Sequence, residues 1–284
     1  MKYSVEKIIE DGEKILKKKG ILNSRFEASL IVQKTLDISK IEILTNNIRS
    51  VSFLKRILIN KNFFERVRGK PISKIFGIKE FYSYEFFTNF NVLDPRPESE
   101  ILVDVAKKIL KKNKSTTHIL ELGVGSGCVI ISIMQELREF RIKGTGVDIS
   151  ESSLKVAKKN QKKFKIVNLH LFRSNWFSNL TNKYDMIVSN PPYLKTSDIK
   201  FLDDEVKKYD PLVSLDGGKN GLNAYKEIAS NVKKYLKLGG VICLEIGFGQ
   251  RDSVNQICKE KGFELILEEK DLQDIPRVVV YKMK

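Results

Sequence analysis

The residues best suited to chemistry are Asn190-Pro191-Pro192-Tyr193. Neither proline has an N–H and each fixes φ, so the run makes a stiff turn that leaves backbone carbonyls free. The Asn190 side chain supplies a further oxygen. Two such acceptors can grip the two hydrogens of a planar NH2 group. Amide and aromatic amine nitrogens are poor nucleophiles because their lone pair is delocalised. Holding both hydrogens orients the nitrogen and favours its pyramidalisation as it attacks a methyl group. The gain is positioning and stabilisation of developing positive charge. Tyr193 can pack on the flat face of the group. No histidine is needed, and His118 and His170 sit inside predicted strands, where they read as structural. The plainer reading is a surface proline turn. Position argues against it, because the run follows the apolar strand Met186-Ile187-Val188-Ser189 at the edge of the sheet where ligands bind.

A second group of residues can hold a nucleoside. The strand His118-Ile119-Leu120-Glu121-Leu122 runs into Gly123-Val124-Gly125-Ser126-Gly127, and a helix opens near Cys128. Alternate glycines allow a sharp turn and close approach of a ligand, and the helix N-terminus offers free amides. Asp148 closes the next predicted strand, where a carboxylate can take both hydroxyls of a ribose. The competing reading is a turn with a helix-capping Asp. The spacing lacks the last glycine of the dinucleotide fingerprint, since Cys128 stands there. Glu121 would repel a phosphate but can hold the amino group of a methionine moiety. Together these features favour the sulfonium cofactor S-adenosyl-L-methionine over a dinucleotide. Trp176, the one tryptophan, follows the third strand and can stack on adenine or serve as a core residue.

These residues need a scaffold. From about residue 95 onward, strands and helices alternate. The candidate strands are 118–122, 145–148, 167–172, 186–189, 241–246, 264–267 and 278–282. The helices fall at about 98–111, 127–139, 151–163, 223–236 and 250–261. Alternation implies a mostly parallel α/β sheet with helices on both faces, and the short link between the last two strands implies an antiparallel hairpin. A parallel sheet that ends in an antiparallel hairpin resembles that of the Rossmann-like methyltransferases.

Residues 76–94 carry Phe76, Phe81, Tyr82, Tyr84, Phe86, Phe87 and Phe90 and read as a strand pair connecting two halves. Residues 1–75 read as all helix. Ser4 can cap a helix with the stripe Val5, Ile8, Ile9, Gly12 and Leu16. Ser24 and Glu27 have capping-box spacing before Phe26, Leu30 and Ile31. A long helix from Val51 to Arg68 is expected to turn Leu54, Ile57, Leu58, Phe64 and Val67 inward. With no catalytic constellation, this unit is expected to dock a substrate.

The 284 residues have a globular composition, 42% hydrophobic and 30% charged. Strictly apolar runs such as Cys128 to Ile131 are only four residues long, far short of the roughly 20 residues that cross a bilayer. The start, Met1-Lys2-Tyr3-Ser4, has no apolar core of a secretory signal. Cys128, Cys243 and Cys258 are odd in number with no C-x-x-C pair, so neither a disulfide framework nor a zinc site is expected, and a reducing cytoplasm fits best. The net charge of +16 is compatible with a nucleic-acid or ribosomal partner. Forty of the 51 basic residues are lysine, however, and many lie in pairs on the polar faces of predicted helices, so coding bias is the favoured reading of the charge. Direct nucleic-acid binding is not expected, and no metal is called for.

The chain resembles the peptide chain release factor glutamine methyltransferases. The resemblance covers nearly its whole length. It rests on Gly69-Lys70-Pro71-Ile72 through Gly77 with Glu80-Phe81, and on Val92-Leu93-Asp94-Pro95-Arg96-Pro97-Glu98-Ser99-Glu100. It continues through Glu121 to Gly127, Trp176-Phe177, Asn190 to Tyr193, Asp210-Pro211, Gly217-Gly218 and Gly221-Leu222. Departures from the family pattern are Glu121 in place of Asp, Asn175 in place of an acidic residue, Lys74 in place of an aromatic and Asp94 in place of an aliphatic. The resemblance implies a cofactor site of Gly123 to Gly127, Asp148, Trp176 and Asn190. It implies a substrate-amide site of Asn190, Pro191, Pro192 and Tyr193. It also implies a helical domain that grips the release factor, whose Gly-Gly-Gln glutamine is methylated on its side-chain amide by a monomeric enzyme. Alternatives that share the motifs are a ribosomal-protein glutamine methyltransferase and an adenine N6-methyltransferase on DNA or RNA. A binding-only assembly factor would not need Asn190 and Tyr193 intact.

Overall fold

The computed structural model describes residues 4–44, 50–112 and 116–284; Met1-Lys2-Tyr3, read above for a leader, lie outside them. The chain divides into two compact units, Met1–Gly77 and Ile78–Lys284.

The first unit is helical: α1 (Val5–Lys18), α2 (Ser24–Leu36), α3 (Lys40–Leu44), α4 (Phe53–Val67) and α5 (Ile72–Phe76). Ser4 caps α1 by accepting from the Lys7 N–H at 3.2 Å, and the stripe Val5, Ile8, Ile9, Gly12 and Leu16 is buried as its spacing dictates. Two expectations are corrected. Ser24 is already the first residue of α2 and caps nothing, while Glu27 takes Arg66 at 2.6 Å. The inner face of α4 is Ile59, Asn62, Phe63 and Arg66, whereas Leu54, Ile57, Leu58 and Phe64 are exposed. The reason is polar pairing. Asn62 donates to Thr35 Oγ1 at 2.9 Å and Arg66 closes on Glu27, so a face carrying two polar residues outcompetes a more apolar one.

The second unit starts with a hairpin, β1 (Ile78–Phe81) and β2 (Tyr84–Phe87), whose Phe81 and Phe86 are buried. Then come α6 (Glu100–Leu110), β3 (Thr117–Leu122), α7 (Cys128–Glu136), β4 (Ile142–Asp148), α8 (Glu151–Lys163), β5 (Leu169–Arg173) and β6 (Tyr184–Ser189). The unit closes with α9 (Asp204–Tyr209), α10 (Asn223–Asn231), β7 (Leu236–Glu245), α11 (Arg251–Glu260), β8 (Phe263–Lys270) and β9 (Pro276–Met283). The seven-stranded sheet has the order β5-β4-β3-β6-β7-β9-β8. β5, β4, β3, β6 and β7 are parallel, and β9 pairs antiparallel with β7 and β8, giving the expected terminal hairpin. β7 begins earlier than its apolar run suggests. A register shift between Tyr184 and Met186 of β6 absorbs the added residues, since Tyr184 pairs with Leu236 and Met186 with Val241. Among the described residues, no helix is long and apolar enough to cross a membrane.

Register decides what leaves the sheet together. Leu122 pairs with Val147 on one side and Ser189 on the other, and Ser189 pairs with Leu244. The next residue on each strand is therefore Gly123, Asp148, Asn190 and Glu245, in one row at the carboxyl edge. Asn160, fully buried on α8, holds the glycine turn behind this row. Its Oδ1 accepts from the Phe87 N–H at 2.7 Å, and its Nδ2 donates to the carbonyls of Phe87 at 3.0 Å and Ser126 at 2.9 Å. Asn160→Ala strands these buried groups and is expected to lower unfolding stability by about 2–3 kcal/mol. Denaturant unfolding that changes by less than about 0.5 kcal/mol, the scatter of a neutral surface change, would show that the bonds carry no weight.

Candidate active site

A cavity of about 560 Å³ opens at the carboxyl edge, within the usual size of a small-molecule site. Its walls include Gly123, Gly125, Asp148, Trp176, Asn190 and Pro192, so residues from both sequence motifs meet there. Asn175, Leu93 and Pro211 also line it. Glu121, Val124, Ser126, Gly127, Pro191 and Tyr193 are not among its walls.

The glycine turn divides into two jobs. Gly123 and Gly125 have φ of 70° and 53°, and a Cβ at Gly123 would meet nothing within 4 Å. These two positions expose bare backbone to the cavity. Gly127, the N-terminal boundary of α7, serves packing, because a Cβ there would stand 3.0 Å from Ile131 Cδ1. Val124 is buried in the core, and the Ser126 carbonyl is held by Asn160.

Glu121 lies beneath the turn. It is 3% exposed, and its Oε2 accepts from the Ile130 N–H at 3.1 Å, capping the first turn of α7. Burial pushes its carboxyl well above the usual range, the Ile130 N–H pulls the other way, and the charge of Asp148 adds to the rise. Asp148 does face the cavity. Its Oδ2 accepts from the Gly125 N–H and its Oδ1 from the Ser150 N–H, both at 2.9 Å. Burial raises its pKa and these N–H groups oppose the rise. A carboxylate has about four lone-pair directions, and with the N–H groups of Gly125, Ser150 and Ile149 directed at it, at least one remains for a ligand.

Trp176 takes a left-handed backbone, φ 49°, which a bulky residue adopts only under constraint. Ser174 Oγ supplies it by donating to the Trp176 carbonyl at 2.9 Å. The indole is part-buried against the core that includes Leu122, Val147 and Phe177, and it also lines the cavity.

Asn190 and Pro192 reach the cavity, whereas Pro191 is buried. Tyr193 packs away from it: a Cβ on Gly247 would lie 2.8 Å from its Cδ2, and burial pushes its phenol up to about 12. Its carbonyl is not free, accepting from Gln250 Nε2 at 2.9 Å. The backbone of this loop passes so close to Gly221 that a Cβ there would lie 2.3 Å from the Tyr193 oxygen. Arg96 and Asp210, from two segments read only as family marks, are joined at 2.6 Å.

Residues the sequence reading gave no role complete the site. Ser99 Oγ donates to Glu245 Oε2 at 2.6 Å, and Asn190 Nδ2 donates to Ser99 Oγ at 2.9 Å. Gln250 braces the loop through Tyr193 and the Gly221 carbonyl. A sequence signal existed for Glu245, a carboxylate closing the apolar run Val241-Ile242-Cys243-Leu244.

Residues 97–205 match the model of the methyltransferase small domain family. A bifunctional methyltransferase of Rickettsia bellii is 37% identical over 98% of this chain and 55% of its own length. The corresponding protein of Rickettsia felis is 36% identical, with 58% of its length covered. The chain thus spans a little over half of these relatives. Coverage is nearly complete on both sides elsewhere. The release factor glutamine methyltransferase of Agrobacterium fabrum is 32% identical over 95% of this chain and 94% of its own. That of Thermodesulfovibrio yellowstonii is 37% identical over 89% and 91%. A methyltransferase of Pyrococcus furiosus shares the fold, with a TM-score of 0.50 at 17% identity over 78% of this chain and 98% of its own. On the strength of these near full-length matches, the chain belongs to the release factor glutamine methyltransferase family.

Proposed function

We propose that this protein transfers a methyl group from S-adenosyl-L-methionine to the side-chain amide nitrogen of the glutamine in the Gly-Gly-Gln loop of peptide chain release factors. The observation that carries the reading is that Asn190 lines the same cavity as Gly123, Gly125 and Asp148. The bare backbone at Gly123 supports the cofactor assignment, since a side chain there would fill space a ligand needs. Gly123 and Gly125 would hold the cofactor against the turn, Asp148 its ribose hydroxyls and Trp176 its adenine. When bound, S-adenosyl-L-methionine supplies an electrophilic methyl group on a sulfonium.

The protein's own part concerns the nucleophile. Asn190 Oδ1 and a carbonyl of the Pro191–Pro192 turn accept the two hydrogens of the glutamine NH2 group. This orients the nitrogen and stabilises the positive charge that develops on it. A bound substrate that displaces water from Leu93 and Pro211 would also remove a competitor for those hydrogens. The helical unit serves as the grip on the release factor, supported by the exposed apolar side chains Phe53, Leu54, Ile57 and Phe64 along α4.

The test offers labelled S-adenosyl-L-methionine with release factor, large-subunit ribosomal protein and DNA in separate reactions. Label is expected on the Gly-Gly-Gln glutamine; label confined to adenine or to ribosomal protein overturns the reading. In the same assay Asn190→Ala is expected to cut kcat by about 10²–10³, the loss typical of one oriented transition-state contact, with cofactor affinity retained. Replacing Leu54 and Phe64 by Asp is expected to raise KM for release factor about tenfold, equivalent to roughly 1.4 kcal/mol, with kcat kept. An unchanged KM would remove α4 from the grip.

A further inference from the structure

An asparagine presents either an oxygen or an NH2 group to a ligand, depending on a flip that hardly changes its shape. The reaction proposed above works with one orientation only. The glutamine brings N–H donors, so Asn190 must show its oxygen.

Two buried residues decide the orientation. Ser99 closes the short helical turn Pro97–Ser99 and is 3% exposed; Glu245 ends β7 and is 2% exposed. Ser99 Oγ donates to Glu245 Oε2 at 2.6 Å, and Asn190 Nδ2 donates to Ser99 Oγ at 2.9 Å. An ionised carboxylate only accepts. The single Ser99 proton is therefore spent on Glu245, and Ser99 has only lone pairs left for Asn190. Asn190 must turn its NH2 toward this pair. The opposite flip would set its oxygen against the lone pairs of two buried side chains, Ser99 and Glu245, and leave its NH2 without them, at the penalty of unmatched polar groups. With its NH2 so held, the oxygen faces the cavity that Asn190 lines.

We infer that Ser99 and Glu245 are positioning residues that fix the polarity of Asn190, so that the cavity accepts a group bringing N–H donors and rejects one bringing only acceptors. The inference rests on the proposed amide methylation for its functional meaning, but the orientation itself is a property of this chain.

The lock holds only while Glu245 is ionised. Burial pushes its carboxyl up to about 7 against the opposing bond from Ser99. Once protonated, Glu245 can donate to Ser99, the Ser99 proton can turn to Asn190 Oδ1, and the amide is free to invert. Activity therefore rises as pH increases through about 7. The charges of Glu98 and Arg277 act on Glu245, as does the Asn190 amide. Tyr193, Tyr225 and Cys128 in turn feel its charge. Burial holds Tyr193 and Cys128 near 12 and Tyr225 well above the usual tyrosine range, so none of these three changes charge in that window.

The test uses the full chain with release factor and two readouts. In kinetics, Ser99→Ala is expected to lower kcat about tenfold or more, equivalent to one lost orienting bond, with KM for the cofactor unchanged. Ser99→Thr, which keeps the hydroxyl, is expected to restore most of it. The wild-type rise of kcat near neutral pH is expected to vanish in Glu245→Gln, which cannot ionise. In nuclear magnetic resonance without substrate, the Asn190 side-chain amide signals are expected to titrate near neutral pH in the wild type and not in Glu245→Gln. A folded Ser99→Ala within twofold of wild-type kcat overturns the inference, as does a neutral-pH inflection retained by Glu245→Gln or an Asn190 amide signal insensitive to pH. Absence of any methyl transfer to glutamine, with the amide signals still titrating, overturns the proposed reaction and supports the lock.

Discussion

Parallel strands joined by an unbroken ladder cannot choose independently where they end. Once Leu122 is paired with both Val147 and Ser189, and Ser189 with Leu244, the residues that follow must emerge side by side. Gly123, Asp148, Asn190 and Glu245 come from strands spread over more than a hundred residues of chain, yet register sets them in one row. A one-residue slip of β6 would turn Asn190 to the other face of the sheet and empty the site of its acceptor. The other devices of the unit serve this row. Asn160 ties the glycine turn to α8, Glu121 secures the start of α7 from below, and Gln250 fixes the loop after β6 from the side.

The site places two buried carboxylates, Glu121 and Glu245, beside a third that faces the cavity. Each would be costly without donors, and each has them: the Ile130 N–H for Glu121, Ser99 for Glu245, and the Gly125 and Ser150 N–H groups for Asp148. The donors differ in what they transmit. A backbone amide anchors Glu121 to the first turn of α7. A hydroxyl relays the charge of Glu245 to a side chain that can flip. The same physical requirement, satisfaction of a buried charge, therefore gives stability at one position and control of ligand polarity at the other.

Much of the sheet and its motifs was legible in the sequence because they use residues with narrow conformational meaning. Glycines at alternate positions, consecutive prolines and a strand-closing Asp each restrict the backbone strongly. Where the reading failed, a side chain found a distant partner. The inner face of α4 carries Asn62 and Arg66, whose partners Thr35 and Glu27 lie on another helix, so hydrophobicity alone selected the wrong face. Ser99 and Glu245 are 146 residues apart, and neither carries a local mark of the bond between them. Tyr193 belongs to the most telling motif, but its ring is drawn into packing on Gly247, a contact no spacing rule contains. The aromatic hairpin closes through Tyr82 and Ser83 at φ of 54° and 61°, conformations that sequence rules reserve for glycine and asparagine; the Glu100 carboxylate accepts the Tyr82 N–H at 2.7 Å and holds the turn.

The most direct measurement is a crystal structure of the protein with S-adenosyl-L-homocysteine and a peptide containing Gly-Gly-Gln. The account requires the glutamine carboxamide nitrogen to lie within about 3.2 Å of Asn190 Oδ1, with Asn190 Nδ2 turned to Ser99. A peptide bound elsewhere, or residues 190–193 turned from the cofactor with no room for a carboxamide between, would contradict it.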